Sequence, residues 1–117
     1  MKQLLNKIKE SFELLEFEDD WDQDGGVKAD LIIFNKAMIF IHLLASHVNN
    51  LSVPNINLCK DASIDLFFVN KEYRLLVNIK KESASCFGAG NNDINAIKSG
   101  DLKMDDIINW CKLYMTE

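Results

Sequence analysis

Leu4, Leu5, Ile8, Phe12 and Leu15 recur at helical intervals with Lys2, Asn6, Lys9 and Glu13 between them. A period of 3.6 residues gathers those apolar side chains on one face, which predicts an amphipathic helix over residues 2–17 on the surface of a core. From Glu16 the composition turns abruptly to Glu18-Asp19-Asp20-Trp21-Asp22-Gln23-Asp24-Gly25-Gly26. Two adjacent glycines and dense short acids disfavour a continuing helix, so a loop is expected. Residues 29–48 are the most hydrophobic stretch, with apolar side chains from Leu31 to Leu44 pointing in nearly every direction. Such a helix is expected to be buried on most sides, leaving a narrow polar stripe of Asn35, His42, Ser46 and Asn49.

After Pro54 the apolar period changes from helical to two. Ile56 and Leu58, then Ile64, Leu66 and Phe68, then Tyr73, Leu75, Val77 and Ile79 alternate with other residues, which predicts three successive strands. The short connections Lys60-Asp61-Ala62 and Asn70-Lys71-Glu72 allow hairpins, whereas parallel pairing needs a crossover of about a dozen residues. A weaker fourth strand is expected over Ala84 to Phe87, ended by Gly88-Ala89-Gly90-Asn91-Asn92-Asp93. The tail places Met104, Ile107, Ile108, Cys111 and Tyr114 on one face of a last helix, with Asp101 as its candidate cap and Asp105 and Asp106 near the positive end of its dipole. Helices followed by strands predict an α+β fold, a single domain over residues 1–117. Its expected parts are two N-terminal helices, an antiparallel three- to four-stranded β-meander and a C-terminal helix packed on the sheet.

Composition narrows the function classes. The chain has 117 residues, 48% hydrophobic and 26% charged, the make-up and size of one globular domain. A net charge of -5 without any lysine or arginine cluster repels phosphate backbones, so no nucleic-acid partner is expected. Cys59, Cys86 and Cys111 are an odd number, 27 and 25 residues apart, which suits free thiols in a reducing compartment better than a disulfide framework or a zinc site. Residues 1–10 lack the apolar run of a secretory signal, and Ala37 to Ala45 is too short to span a bilayer. A cytoplasmic protein with no membrane partner and no cofactor is expected.

The order Trp21-Asp22-Gln23-Asp24-Gly25-Gly26, a helix with Ala37 and Phe40-Ile41, Pro54, Asp61-Ala62-Ser63-Ile64-Asp65-Leu66 and Leu75-Leu76-Val77-Asn78-Ile79 resembles a set of small uncharacterised bacterial proteins. In that set a W-D-G-x-G-A turn leads into a helix and a P-D-G-x-I-x-L-x-W hairpin follows. This chain has Gln23, Gly26, Ala62 and Phe68 where the set tends to have Gly, Ala, Gly and Trp. The resemblance covers roughly residues 18–90. It implies an α+β domain in a bacterial or mobile-element setting and supplies no catalytic residues.

Candidate chemistry sits in the acidic loop and the strands. Asp20-x-Asp22-x-Asp24-Gly25 has the first half of a calcium loop, but position twelve, where a bidentate carboxylate is needed, is Leu31. The plainer reading is a solvated turn whose aspartates cap the next helix. Trp21 amid these acids either folds back to pin the loop or anchors a contact with a basic protein, with Asp19, Asp20, Asp22 and Asp24 steering the encounter. Asp65, Asn78 and Lys80 follow the order of a metal-dependent nuclease motif, with an amide in place of its second acid. His42 and His47, five residues apart on a helix, point about 140° away from each other and cannot share a metal. Gly88-Ala89-Gly90 lacks the lysine and helix start of a phosphate loop.

The expected function is therefore a non-enzymatic protein-binding module of the inhibitor, antitoxin or immunity type, with another protein, a basic one, as partner. The alternative is a divalent-metal-binding protein or metal-dependent enzyme using Asp20, Asp22 and Asp24 or Asp65. A homodimer joined by an exposed sheet edge or the polar stripe of the second helix is the third reading.

Overall fold

Leu4, Ile8 and Leu15 turn inward as their spacing requires, and Ser11 occupies the same inward stripe. In the computed structural model, which describes residues 2–23, 25–48, 51–69, 73–90, 93–95 and 103–114, these positions form helix α1 (Lys2–Ser11) continued by a 3₁₀ turn (Phe12–Glu16). The buried Ser11 hydroxyl donates to the Ile8 carbonyl oxygen at 2.6 Å, so its burial leaves no unpaired donor where the helix tightens. Leu5 and Phe12, expected on the inward face, are exposed instead, and the Phe12 ring lies against Phe34 with centroids 5.4 Å apart.

Helix α2 (Leu31–His47) starts at Asp30, whose carboxylate accepts from the Ile32 amide at 2.7 Å and the Ile33 amide at 3.4 Å. Phe34, Ala37, Phe40, Ile41 and Leu44 form its buried face. The outward face is broader than the predicted stripe. Asn35, His42 and Ser46 are exposed as expected, but so are Leu31, Ile32 and Ile39, because α2 is covered from one side rather than all round. Asn49 lies outside the described residues.

The strands form one antiparallel meander in sequence order: β1 (Asn55–Leu58), β2 (Ile64–Val69), β3 (Tyr73–Ile79), β4 (Ala84–Gly90) and β5 (Asp93–Asn95). Strand β4 continues to Gly90 and a short β5 pairs with it, so the glycine segment extends the sheet rather than ending it. Helix α3 (Met104–Tyr114) buries Ile107, Ile108 and Cys111 as its spacing predicts, with Asp105 and Asp106 in its first turn. Asp101, its expected cap, lies outside the described residues. Helices α2 and α3 touch one another and lie on the same face of the sheet, α2 against β2 and β3 and α3 against β4. One hydrophobic cluster joins all three helices to Ile56, Leu66, Val77 and Cys86 on that face. The fold is α+β, as the pattern predicts, and no described helix is long and apolar enough to cross a membrane.

Candidate functional site

The acidic loop is built by its own carboxylates. Asp20 Oδ1 accepts from the Gly25 amide at 2.8 Å, Asp22 Oδ1 from the Gly26 amide at 2.8 Å and Asp19 Oδ1 from the Lys28 amide at 3.0 Å. The Asp20 amide donates to the Gly26 carbonyl oxygen, which closes the loop at its neck. Short acids suit this work because one or two bonds of side chain bring an acceptor within reach of nearby amides. Asp20, Gln23 and Gly25 take left-handed backbone conformations with φ of 62°, 60° and 82°. Gly26 is needed for a different reason. A Cβ there would sit 2.7 Å from Asp22 Oδ1 and 2.8 Å from Trp21 Nε1.

Trp21 folds back. Its indole Nε1 donates to the Val27 carbonyl oxygen at 2.9 Å, and its half-buried ring packs against the core cluster. Phe17 stacks on it with ring centroids 5.3 Å apart and is the more exposed aromatic of the pair, flanked by the exposed Glu16 and Glu18. The Val27 amide donates at 2.7 Å to the Lys60 carbonyl oxygen, which ties the loop to the β1–β2 connection. The structure therefore brings Asp19, Asp20, Trp21 and Asp22 together as one turn, while Asp24 lies outside the described residues. Capping by Asp30, one residue short of the position a calcium loop reserves for its last ligand, uses the carboxylate for α2. Among the described residues no three acids, cysteines or histidines are grouped to hold a metal ion.

A second polar cluster lies where β2 and β3 pair. Asp65 stands opposite Asn78, and Asn78 Nδ2 donates to Asp65 Oδ1 at 2.7 Å and to Ser63 Oγ at 3.0 Å. Ser63 Oγ in turn donates to Asp61. The hydrogen bonds from the Ser63 hydroxyl and amide hold the Asp61 carboxyl below its ordinary range. Cys59 Sγ lies 3.9 Å from Asn78 Nδ2, and burial pushes its thiol up, so it stays protonated at neutral pH. The carboxylate beside the Ser63 hydroxyl, Asp61, is held below its ordinary range and is a poor base, so a serine that donates to Asp61 and accepts from Asn78 is a staple across the hairpin rather than an activated nucleophile. His42 and His47 are both exposed on α2, away from this cluster in the chain.

Two structural features, the exposed Phe17 over Trp21 and the grouping of Cys59 and Ser63 with Asn78, have no local signal in the sequence. Phe17 stood at the end of the helical pattern and read as helix, and Cys59 and Ser63 carried no motif. The signal for the outward sheet face was present: Phe67 and Leu76 are apolar at positions out of phase with the buried alternation. No known protein family, curated protein or solved structure matches the chain.

Proposed function

We propose that the chain is a non-enzymatic protein-binding module of the inhibitor, antitoxin or immunity type, docking on a basic protein through the acidic loop. The observation that carries this reading is the division of labour within the loop. Asp19, Asp20 and Asp22 fix its shape by capping amides, while Phe17 is presented over Trp21 between Glu16 and Glu18. A loop already fixed loses little conformational freedom on docking, which favours affinity. An exposed aromatic flanked in the chain by exposed carboxylates has the make-up of an anchor with a steering rim, and capping leaves the negative charge in place. The net charge of -5 acts in the same direction.

The resemblance to small bacterial proteins, and with it a bacterial or mobile-element setting and a cytoplasmic location, belongs to the same proposal. Gln23 and Ala62 stand where that set tends to have glycine, and both adopt the left-handed conformation that glycine takes most easily. Gly26 counts on the other side, since an alanine Cβ there would press on Asp22 and Trp21.

Affinity capture with the wild-type chain and a Phe17→Ser/Glu18→Lys variant tests the proposal. Glu18 is exposed and Phe17 gives up its contact with Trp21, so the variant is expected to keep the fold at a somewhat lower melting temperature, and a circular-dichroism spectrum matching the wild type checks this before capture. The proposal expects basic proteins retained by the wild type and lost by the variant, with retention weakening as salt rises. Identical captured sets would contradict it.

A further inference from the structure

The helices cover one face of the sheet, and the other carries a row that crosses three strands. Phe67 on β2 pairs with Leu76 on β3, and Leu76 pairs with Phe87 on β4. Leu76 is 41% and Phe87 51% exposed, and Val69 beside them is 41% exposed. Large apolar side chains side by side in register, without a helix over them among the described residues, make a contiguous patch rather than scattered surface hydrophobes. Charge flanks the row on opposite sides. One step along the strands in one direction stands Arg74, the chain's single arginine, exposed, its side chain in no hydrogen bond or ion pair with another described residue. One step in the other direction stands the Asp65–Asn78 pair.

We propose that this open face is the contact between two copies of the chain, packed face to face across a two-fold axis that runs along the Phe67-Leu76-Phe87 row. Such an axis lays the row of one copy on the row of the other and reverses the strand direction. It therefore carries Arg74 of each copy over the Asp65–Asn78 pair of the other, so both charges find opposite partners at once. That self-complementarity is what a two-fold interface demands of a single surface, and it is why a second copy fits better than an unrelated protein. Sheets stacked in this way sit about 10 Å apart with interdigitating side chains. Arginine and phenylalanine are the residue types enriched at such contacts. With four strands about 4.8 Å apart and about 3.3 Å per residue, the face measures about 20 Å each way, small for an interface, so the dimer is expected to be a micromolar one.

Sedimentation velocity of the full chain from about 1 to 500 µM tests this across the range expected for an interface of that size. The wild type is expected to move from monomer to dimer as concentration rises. Phe87→Glu is expected to stay monomeric, and Arg74→Glu to weaken the dimer by about tenfold or more because it sets two carboxylates against each other. The exchanged variant Arg74→Glu/Asp65→Lys is expected to recover dimer relative to Arg74→Glu; if circular dichroism shows that the exchange disturbs the fold, Phe87→Glu alone decides. A wild type that remains monomeric throughout overturns the proposal. So does a dimer indifferent to both Phe87→Glu and Arg74→Glu. The loop variant Phe17→Ser/Glu18→Lys is expected to dimerise like the wild type, which keeps this result separate from the function of the loop.

Discussion

Gln23 and Ala62 hold the same left-handed backbone in opposite surroundings, and that difference sets what glycine would do at each. Gln23 is exposed, so Gln23→Gly relieves the backbone at no loss of packing and is expected to stabilise by about 0.5–1 kcal/mol. Ala62 is buried, and losing its methyl costs about 0.8 kcal/mol of burial, so Ala62→Gly is expected to be close to neutral. Denaturant melts of the two variants check this; equal gains at both sites would contradict it. Burial pushes Cys86 up to about 11 and, with Cys86 nearby, Cys111 up to about 12, against an ordinary value of 9.0. A thiol raised in the folded state contributes stability that is present below pH 9 and is lost as pH rises through 11 to 12. Thermal melts taken above pH 9 are expected to fall less steeply in Cys86→Ala/Cys111→Ala than in the wild type, and parallel slopes would refute the burial of these thiols.

The acidic loop and α2 form a unit at the scale of the element. Asp30→Ala removes the cap of α2 and is expected to cost about 1 kcal/mol. The amides of Gly25, Gly26 and Lys28 are expected to exchange slowly with deuterium in the wild type, and Asp22→Ala is expected to release Gly26 first. Fast exchange at all three amides in the wild type would mean that the loop is not fixed. Calcium is expected to leave the melting temperature unchanged, because Asp20 and Asp22 are turned to amides and Asp30 to the helix; a rise would show a cation held by the native state. Much of this was legible beforehand. The change of apolar period at Pro54 marked where helices give way to strands, and Met104, Ile107, Ile108 and Cys111 marked the inner face of α3. The strand at Asp93–Asn95 was not, because Gly88 and Gly90 have weak strand propensity and only pairing with the finished β3 holds β4 straight that far. The exposure of Ile32 and Ile39 was hidden for a similar reason. Hydrophobicity says which side chains could be buried, but only the sheet's position says which of them are.

On the scale of the whole molecule, the helices and one sheet face make the core, and the two surfaces proposed above for recognition, the loop around Phe17 and Trp21 and the open sheet face around Leu76, lie outside it. Within the core, Phe40 is wholly buried in α2, and Phe40→Ala is expected to cost about 3–5 kcal/mol. The sequence pattern placed that core well, but it placed Trp21 by its neighbours in the chain. The bond from its indole to Val27, six residues on, depends on a turn that no local spacing announces. Docking through the acidic loop is tested by quantitative affinity capture with three baits: the wild type, Phe17→Ser/Glu18→Lys and Phe87→Glu. A basic partner held by the wild type is expected to be lost from the loop variant and kept by the sheet variant; a partner kept by the loop variant and lost from the sheet variant would show that the loop is not the docking surface.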